Sequence, residues 1–303
     1  MELLQLRHFR TVAKMENITN AAESLNISQP SLSKTIINLE LELGASLFDR
    51  LGRHIYLNTR GKLFYEKICD ALDILDGAKN LIDESTESSQ GEVSLLILAA
   101  SRIMPELIKD FMKKYPQIRL NLHQQTHYDL RYSEEYDFSI SATPMDYSRL
   151  ETIPLLTEEI VLGVASSHPL AGRGSIDLRE AADCDFVTFS QGPSLRVLSD
   201  SLCYMAGFTP KIRCECDGVS ALFTLISEGL GVALLPVETL VKGFKWDIVS
   251  LPLKNLPAKR TINLSWRSEK YMSKACTLFK QSCVSFFREH VSRPGPQFIG
   301  YNQ

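Results

Sequence analysis

Between Ser28 and Asn38 the chain sets out Ser28, Gln29, Pro30, Ser31, Ser33, Lys34, Thr35 and Asn38, with no acid from Gln29 to Leu39. Such amides, hydroxyls and a single ammonium suit base edges and phosphates. Gln or Asn can pair with adenine, and Lys with guanine or a phosphate. A merely solvated helix face is also polar, but it usually mixes Glu with Lys. Arg53 follows Gly52 between two short apolar alternations. That reads as the tip of a β-wing, where a cation meets a minor groove or a phosphate. A second set of mostly polar residues follows apolar runs further along: Ser101-Arg102, Thr143, Ser190-Gln191 with Ser194, and Asp217, with the apolar Val219 two positions on. Each alone reads most simply as a helix cap. Four together favour a small-ligand cleft, because open α/β sheets bind ligands beyond the carboxyl ends of their strands. Helix starts at Ser101 and Ser194 would favour an anionic or carbonyl-bearing ligand, with Arg102 and Arg196 as counter-charges if they point inward.

The elements that must carry these residues follow from periodicity. Leu3, Leu6, Phe9, Val12 and Ala13 recur at helical spacing up to about Asn17. A second helix starts at Thr19, whose hydroxyl is the expected cap, and buries Ala21, Ala22 and Leu25. Ser28 caps a third, with Pro30 in its first turn, the stripe Leu32, Ile36, Leu39, Leu43 inward and Gly44 as its stop. Two short helices joined by a tight turn describe a helix-turn-helix. Asn58 or Thr59 then caps a long helix to about Ser88. In it Phe64, Ile68, Ala71, Leu75, Ala78 and Ile82 form a heptad seam, read as a dimerisation surface. Its acids, among them Asp70, Asp73 and Asp76, are expected outward. Beyond a polar linker ending at Gly91, apolar strands alternate with helices. Strands are expected at Val93–Leu98, Ile118–Leu122, Phe138–Ser141, Ile160–Ala165, Phe186–Phe189, Ile212–Cys216, Gly231–Leu235 and Asn263–Trp266. That alternation implies a parallel α/β sheet in two lobes, crossing near Ala165 and returning near Thr261.

Composition sets the frame. The chain has 303 residues, 44% hydrophobic and 23% charged, with 33 Lys and Arg against 36 Asp and Glu. That is an ordinary globular mix for about two domains. Residues 1–67 hold nine basic and seven acidic side chains, a modest positive excess that the rest of the chain lacks. No apolar signal core opens the sequence, no run approaches the ~20 residues of a membrane span, and the seven cysteines suit a reducing compartment. A cytoplasmic protein without a membrane partner is the expectation.

The motifs Leu6-Arg7-His8-Phe9, Ala21-Ala22, Ser28-Gln29-Pro30-Ser31-Leu32-Ser33, Leu39-Glu40-Leu41-Glu42-Leu43-Gly44, Leu47-Phe48-Asp49-Arg50, Arg53 and Leu57-Asn58-Thr59-Arg60-Gly61 stand together within sixty residues. In this combination the sequence resembles the LysR-type transcriptional regulators, and the similarity continues more loosely to about residue 290. The resemblance implies a winged helix-turn-helix over 1–58, a linker and dimerisation helix over 59–90, and an effector-binding domain over 91–303. The last is expected to be two-lobed and built like a periplasmic binding protein, with lobe I at about 91–163 and 265–303 and lobe II at about 164–264. It further implies dimers that pair into tetramers on a partly palindromic double-stranded operator, a small-molecule effector, and RNA polymerase as a further candidate partner. Carried over residue by residue, the expected DNA contacts are Gln29, Pro30, Ser33, Lys34 and Arg53. The family usually has Arg where Lys34 stands, and Lys lacks the bidentate fork. The stretch His123–Asp137 is about five residues short for the family.

Other chemistries find little support. Neither a metal-ligand spacing, a Gly-rich phosphate loop nor a GxSxG elbow is present, so no cofactor, metal or catalytic residue is expected. Peroxide-sensing members of the family carry a reactive Cys where this chain has Ser194, although Cys203 matches their second Cys. The competing readings are a thiol redox-sensing regulator and a cytoplasmic ligand-binding protein or enzyme whose N-terminal module only dimerises. The latter gives no reason for Gln29, Ser33, Lys34 and Arg53 to share a surface.

Overall fold

The computed structural model describes residues 1–51, 54–84, 91–124, 136–142, 150–190, 194–241, 246–268 and 270–292. The chain forms two compact units, one built on Met1–Ser89 and the other on most of the chain from Gln90 onward.

In the first unit, α1 (Leu3–Met15), α2 (Ile18–Ser24) and α3 (Gln29–Leu43) are followed by the antiparallel strands β1 (Phe48–Leu51) and β2 (His54–Leu57), then by α4 (Thr59–Glu84). Phe9, Val12 and Ala13 are buried in one core with Ala21, Ala22, Leu32, Ile36 and Leu39. Small residues on α2 bring its backbone close to its neighbours. Each helix end is set locally. Ser28 Oγ accepts from Ser31 N at 3.4 Å to cap α3, and Gly44 ends that helix at φ 64°, where a side chain would be strained. Asn58 Oδ1 accepts from Gly61 N at 2.8 Å to start α4. A Cβ on Gly61 would run into the Leu47 carbonyl oxygen, so only glycine lets α4 start this close to the wing. The cap of α2 differs from expectation: Asn17 Oδ1 accepts from Asn20 N at 3.1 Å, and Thr19 lies inside the helix. Both residue types cap well, and the left-handed turn at Glu16 delivers Asn17 first.

The expected seam on α4 divides. Ile68 is buried and Phe64 packs against the first unit's own core, alongside Tyr65, Cys69 and Leu72. The Phe9 ring packs tilted against Phe64 and edge-on against Tyr65, with ring centroids 5.1 and 6.4 Å apart. Ala71, Leu75 and Ala78 are exposed, joined by Leu63 and Ile74, while the Ile82 side chain lies outside the described residues. Phe64 and Ile68 are therefore intrachain core, since heptad spacing shows a stripe without saying which chain covers it. The acids also turn out differently. Asp70 is buried, and Asp73 and Asp76 pair with Arg10 and Arg7 of α1.

The second unit runs β3 (Glu92–Ile97), α5 (Met104–Lys114), β4 (Arg119–Gln124), β5 (Phe138–Ser141), β6 (Leu150–Ala165), β7 (Ile176–Asp177), β8 (Asp185–Phe189) and α6 (Ser194–Met205). It continues with β9 (Lys211–Cys216), α7 (Val219–Ser227), β10 (Ala233–Pro236), β11 (Ile248–Lys254), β12 (Lys259–Arg267) and α8 (Lys274–Ser292). The main sheet has the order β4-β3-β5-β12-β6-β11-β7, with β10 also on β6. It is mixed and not parallel throughout. β3 pairs parallel with β4 and β5, and β11 with β7, but β6 and β12 pair antiparallel with each other, β12 with β5, and β6 with β10 and β11; β8 and β9 form a separate parallel pair.

β6 is the pivot of this arrangement. Up to Glu159 it pairs with β12, and from Ile160 to Ala165 it pairs with β10 and β11. One strand thus serves both lobes. The apolar pattern marks only Ile160–Ala165 and leaves β11 unmarked, because the first half of β6 is mostly exposed or half-buried and carries no apolar run. The first lobe packs Phe138 and Phe279 together with Phe111 and Trp266; the second has its own core, including Leu162, Val187, Leu222 and Leu235. The shortened stretch after Leu122 lies mostly outside the described residues.

Candidate nucleic-acid interface and effector cleft

Helix α3 turns Leu32, Ile36 and Leu39 into the core and leaves Gln29, Pro30, Ser31, Lys34 and Asn38 exposed, with Ser33 and Thr35 half-buried. Ser28 and Thr35 are engaged within the helix: Ser28 as the cap, and Thr35 Oγ1 donating to Ser31 O at 3.0 Å. The groups left for an external partner are thus the Gln29 and Asn38 amides, the Ser33 hydroxyl and the Lys34 ammonium. Ile37, 42% exposed, lies on the same face and escapes a search for polar residues alone. An aliphatic group there suits a thymine methyl. The wing is tied to this helix by Glu40, whose Oε1 accepts from Leu47 N at 2.7 Å, and to α1 by Glu16, whose Oε1 accepts from Leu57 N at 3.2 Å. Arg53, expected at the wing tip, lies outside the described residues.

In the second unit the strand ends meet the expectations in part. Ser190, just past β8, and Asp217, just past β9, are brought together: the Ser190 hydroxyl donates to Asp217 Oδ1, and Ser190 N donates to Cys216 O at 3.1 Å. Val219 opens α7 behind Gly218, which has no side chain to cap it. Ser101 does not cap a helix. It sits in the turn after Ala100, itself at φ 59°, and α5 begins at Met104 with Ile103 at its cap. Arg102 carries its guanidinium 5.4 Å from the Phe223 ring of α7, so the first lobe reaches the second there. Burial pulls the Arg102 pKa down from its ordinary value.

Arg196 does not face a ligand. It is only 7% exposed, donating to Phe189 O at 2.9 Å, Glu215 at 2.6 Å and Asp200 at 2.8 Å. Burial opposes its charge, yet the two carboxylates outweigh it and its pKa is raised. It ties β8, β9 and α6 together. Thr143 and Gln191 lie outside the described residues, and Ser194 is the first residue of α6, its side chain likewise not described.

Two family models divide the chain. Residues 3–62 match the bacterial regulatory helix-turn-helix protein, lysR family, and residues 86–288 match the LysR substrate binding domain. The chain belongs to the LysR family of transcriptional regulators. It is 34% identical to the uncharacterized HTH-type transcriptional regulator YybE of Bacillus subtilis (strain 168), over 95% of this chain and all of that one. A full-length variant of OxyR from Pseudomonas aeruginosa shares the fold, with a TM-score of 0.72 at 23% identity, over 94% of this chain and 98% of that one. The effector binding domain of QuiR, solved in complex with shikimate, has a TM-score of 0.58 at 29% identity, over 67% of this chain and 99% of that one. As a LysR-family protein, this chain is a DNA-binding transcriptional regulator with a ligand-binding effector domain.

One feature of this LysR-family chain has no counterpart in the sequence pattern. Where β6 changes partners, Glu158 and Arg260 form a buried ion pair at 2.8 Å, facing each other across β6 and β12. Thr239, in a π-helical turn at Val237–Val241, donates to Glu158 through its backbone N (2.8 Å) and its hydroxyl (2.7 Å). Arg260 donates in turn to the Thr239 hydroxyl at 2.7 Å. The charges satisfy one another at the point where the two lobes share strands, but residues 81 and 102 positions apart give no local signal. Cys203 is fully buried, and burial, with Asp200 nearby, pushes its pKa up to about 12. Among the described residues, no group of three or more His, Cys, Asp or Glu could hold a metal, and no helix is long and apolar enough to cross a membrane.

Proposed function

We propose that this regulator is non-enzymatic, works in the cytoplasm, and reads an operator by laying α3 in the major groove as a dimer. In this reading residues 1–58 bind DNA, 59–90 join two copies, and 91–303 receive the effector. Gln29, Pro30, Ser33, Lys34, Ile37 and Asn38 face the bases, Ser28, Ser31 and Thr35 order the start of the helix, and Arg53 contacts the backbone from the wing. The dimer forms through the exposed apolar side of α4, at Leu63, Ala71, Ile74, Leu75 and Ala78, and dimers pair into tetramers on a partly palindromic site. Promoter-bound protein then engages RNA polymerase.

The effector is a small carboxylate held between the lobes by Ser101, Arg102, Thr143, Ser190, Gln191, Ser194, Asp217 and Val219. Two things support this class: the half-buried Arg102 cation at the lobe boundary, and the shikimate, itself a carboxylate, bound by QuiR. Its binding shifts the population between two lobe or protomer arrangements and so moves the recognition helices along the DNA.

The observation that carries the reading is the outer face of α3 from Gln29 to Leu39, free of acids and held against the core by Leu32, Ile36 and Leu39. A mobility-shift titration on DNA upstream of the coding gene, at two salt concentrations and with excess competitor, tests it. A complex that survives competitor and weakens steeply with salt is expected. Binding that competitor abolishes, on this DNA and on duplexes selected from a random library, would contradict it.

A further inference from the structure

Helix α1 carries Arg7 and Arg10 one turn apart, and α4 carries Asp73 and Asp76 one turn apart. They meet in antiparallel order. Arg7 grips both oxygens of Asp76, at 2.5 and 3.3 Å, and Arg10 lies 3.6 Å from Asp73. Next to these two rungs, Phe9 and Val12 are buried in the core that also holds Leu72 and Cys69. Helix α1 also packs on α3, so it stands between the DNA-reading helix and the long helix.

Apolar packing alone lets one helix roll or pivot on another at little cost, because it has no direction. A bidentate guanidinium–carboxylate pair, as Arg7 makes with Asp76, has one, and the longer Arg10–Asp73 ion pair adds a second point of attachment one turn away. The rungs are partly exposed, so their contribution to stability is small, while their effect on angle is not. Helix α4 has 26 residues, ~39 Å at 1.5 Å per residue. A pivot of ~10° about its start moves its far end ~7 Å by simple geometry, about two base-pair steps of 3.4 Å. If two copies join along α4, that displacement passes to the distance between their α3 helices.

We propose that Arg7–Asp76 and Arg10–Asp73 are positioning pairs that fix the angle of α4 to the reading head and so set the spacing of the half-sites this regulator accepts. The inference rests on the dimeric reading given above. Arg7 and Arg10 act here through the long helix and not as phosphate contacts, since each is held by a carboxylate.

The experiment is selection of binding sites from a random double-stranded DNA library by the full-length chain. Wild type is compared with Arg10→Glu, Asp73→Arg and the two combined. The expected result is that the single reversals keep the half-site sequence but shift or broaden the spacing by at least one base pair. Their affinity for the wild-type spacing should fall about tenfold, because the DNA must then deform to match the shifted helices. The combined variant should restore the wild-type spacing. Unchanged spacing in both single variants, or no restoration in the combined one, would overturn the proposal. Should a reversal fail to fold by circular dichroism, Arg7→Gln and Asp76→Asn decide in the same way: broadened spacing supports the pairs, unchanged spacing overturns them. A wild-type selection without paired half-sites would refute the dimeric reading, and this inference with it. Paired half-sites with variant spacing unchanged would refute only this inference.

Discussion

The DNA-reading unit and the effector unit solve the same problem, placing a few polar groups on a rigid frame, at different ranges along the chain. In the first, the helices are started by near neighbours: Asn17 with Asn20, Ser28 with Ser31, Asn58 with Gly61. In the second, the decisive group is Glu158 with Arg260 and Thr239, drawn from three distant segments into the place where the lobes share β6. The first unit can hold one shape while its polar face waits for a partner. The second has its charges where two bodies join, so small changes there act on the relation between lobes.

That difference can be broken from the DNA side first. The exposed face of α4 is expected to hold two copies together, so Leu75→Asp, or Ile74→Asp, should give monomers. Loss of the second half-site contact should then cost ~10²–10⁴ in operator affinity. Sedimentation and mobility shift check this; a stable dimer would remove the face from the interface.

Next in size is the shared strand. Glu158→Gln leaves Arg260 buried without its counter-charge, a loss of ~3–5 kcal/mol, whereas Glu158→Leu with Arg260→Met should recover most of it. Both tryptophans, Trp246 and Trp266, lie in the effector unit, so fluorescence-monitored unfolding reports on that unit alone. Equal cost for the single and double variants would mean that the pair is not a coupled device.

A smaller test separates the two candidate caps of α2. Asn17→Ala should destabilise the first unit by ~1 kcal/mol and Thr19→Ala by distinctly less, read from thermal melts of helicity. The smallest expected effect is none. With the Cys203 thiol shifted up to about 12, it stays protonated and shielded near neutral pH, so peroxide should leave it unmodified by mass spectrometry and Cys203→Ser should not alter DNA binding.

How much of this is legible in the sequence follows the range of the contacts. The three helices, the wing and Gly44 are readable because their signals lie within a turn or two. Thr19 misleads because two good caps stand two residues apart. Phe64 and Ile68 look like a partner's contacts because a heptad stripe does not name what covers it. Arg7 and Asp76, 69 positions apart, carry no local sign that they pair. In the effector unit the apolar strands are visible, but half of β6 is not, and with it the antiparallel pairing is lost. Arg196 looks available to a ligand, yet Glu215, Asp200 and the end of β8 already hold it. Ser190 and Asp217 fall in the expected place, because strand ends are visible in sequence even when strand order is not.

The central claim is that α3 reads bases. The most direct measurement is the ratio of affinities for a selected operator duplex and an unrelated duplex of equal length, for wild type and for Gln29→Ala combined with Lys34→Ala. At ~1–3 kcal/mol for each well-placed base contact, the ratio should fall by about a hundredfold or more, while affinity for unrelated DNA falls far less. A ratio left at its wild-type value, with both affinities reduced alike, would mean that the face only holds the backbone and that sequence is read elsewhere.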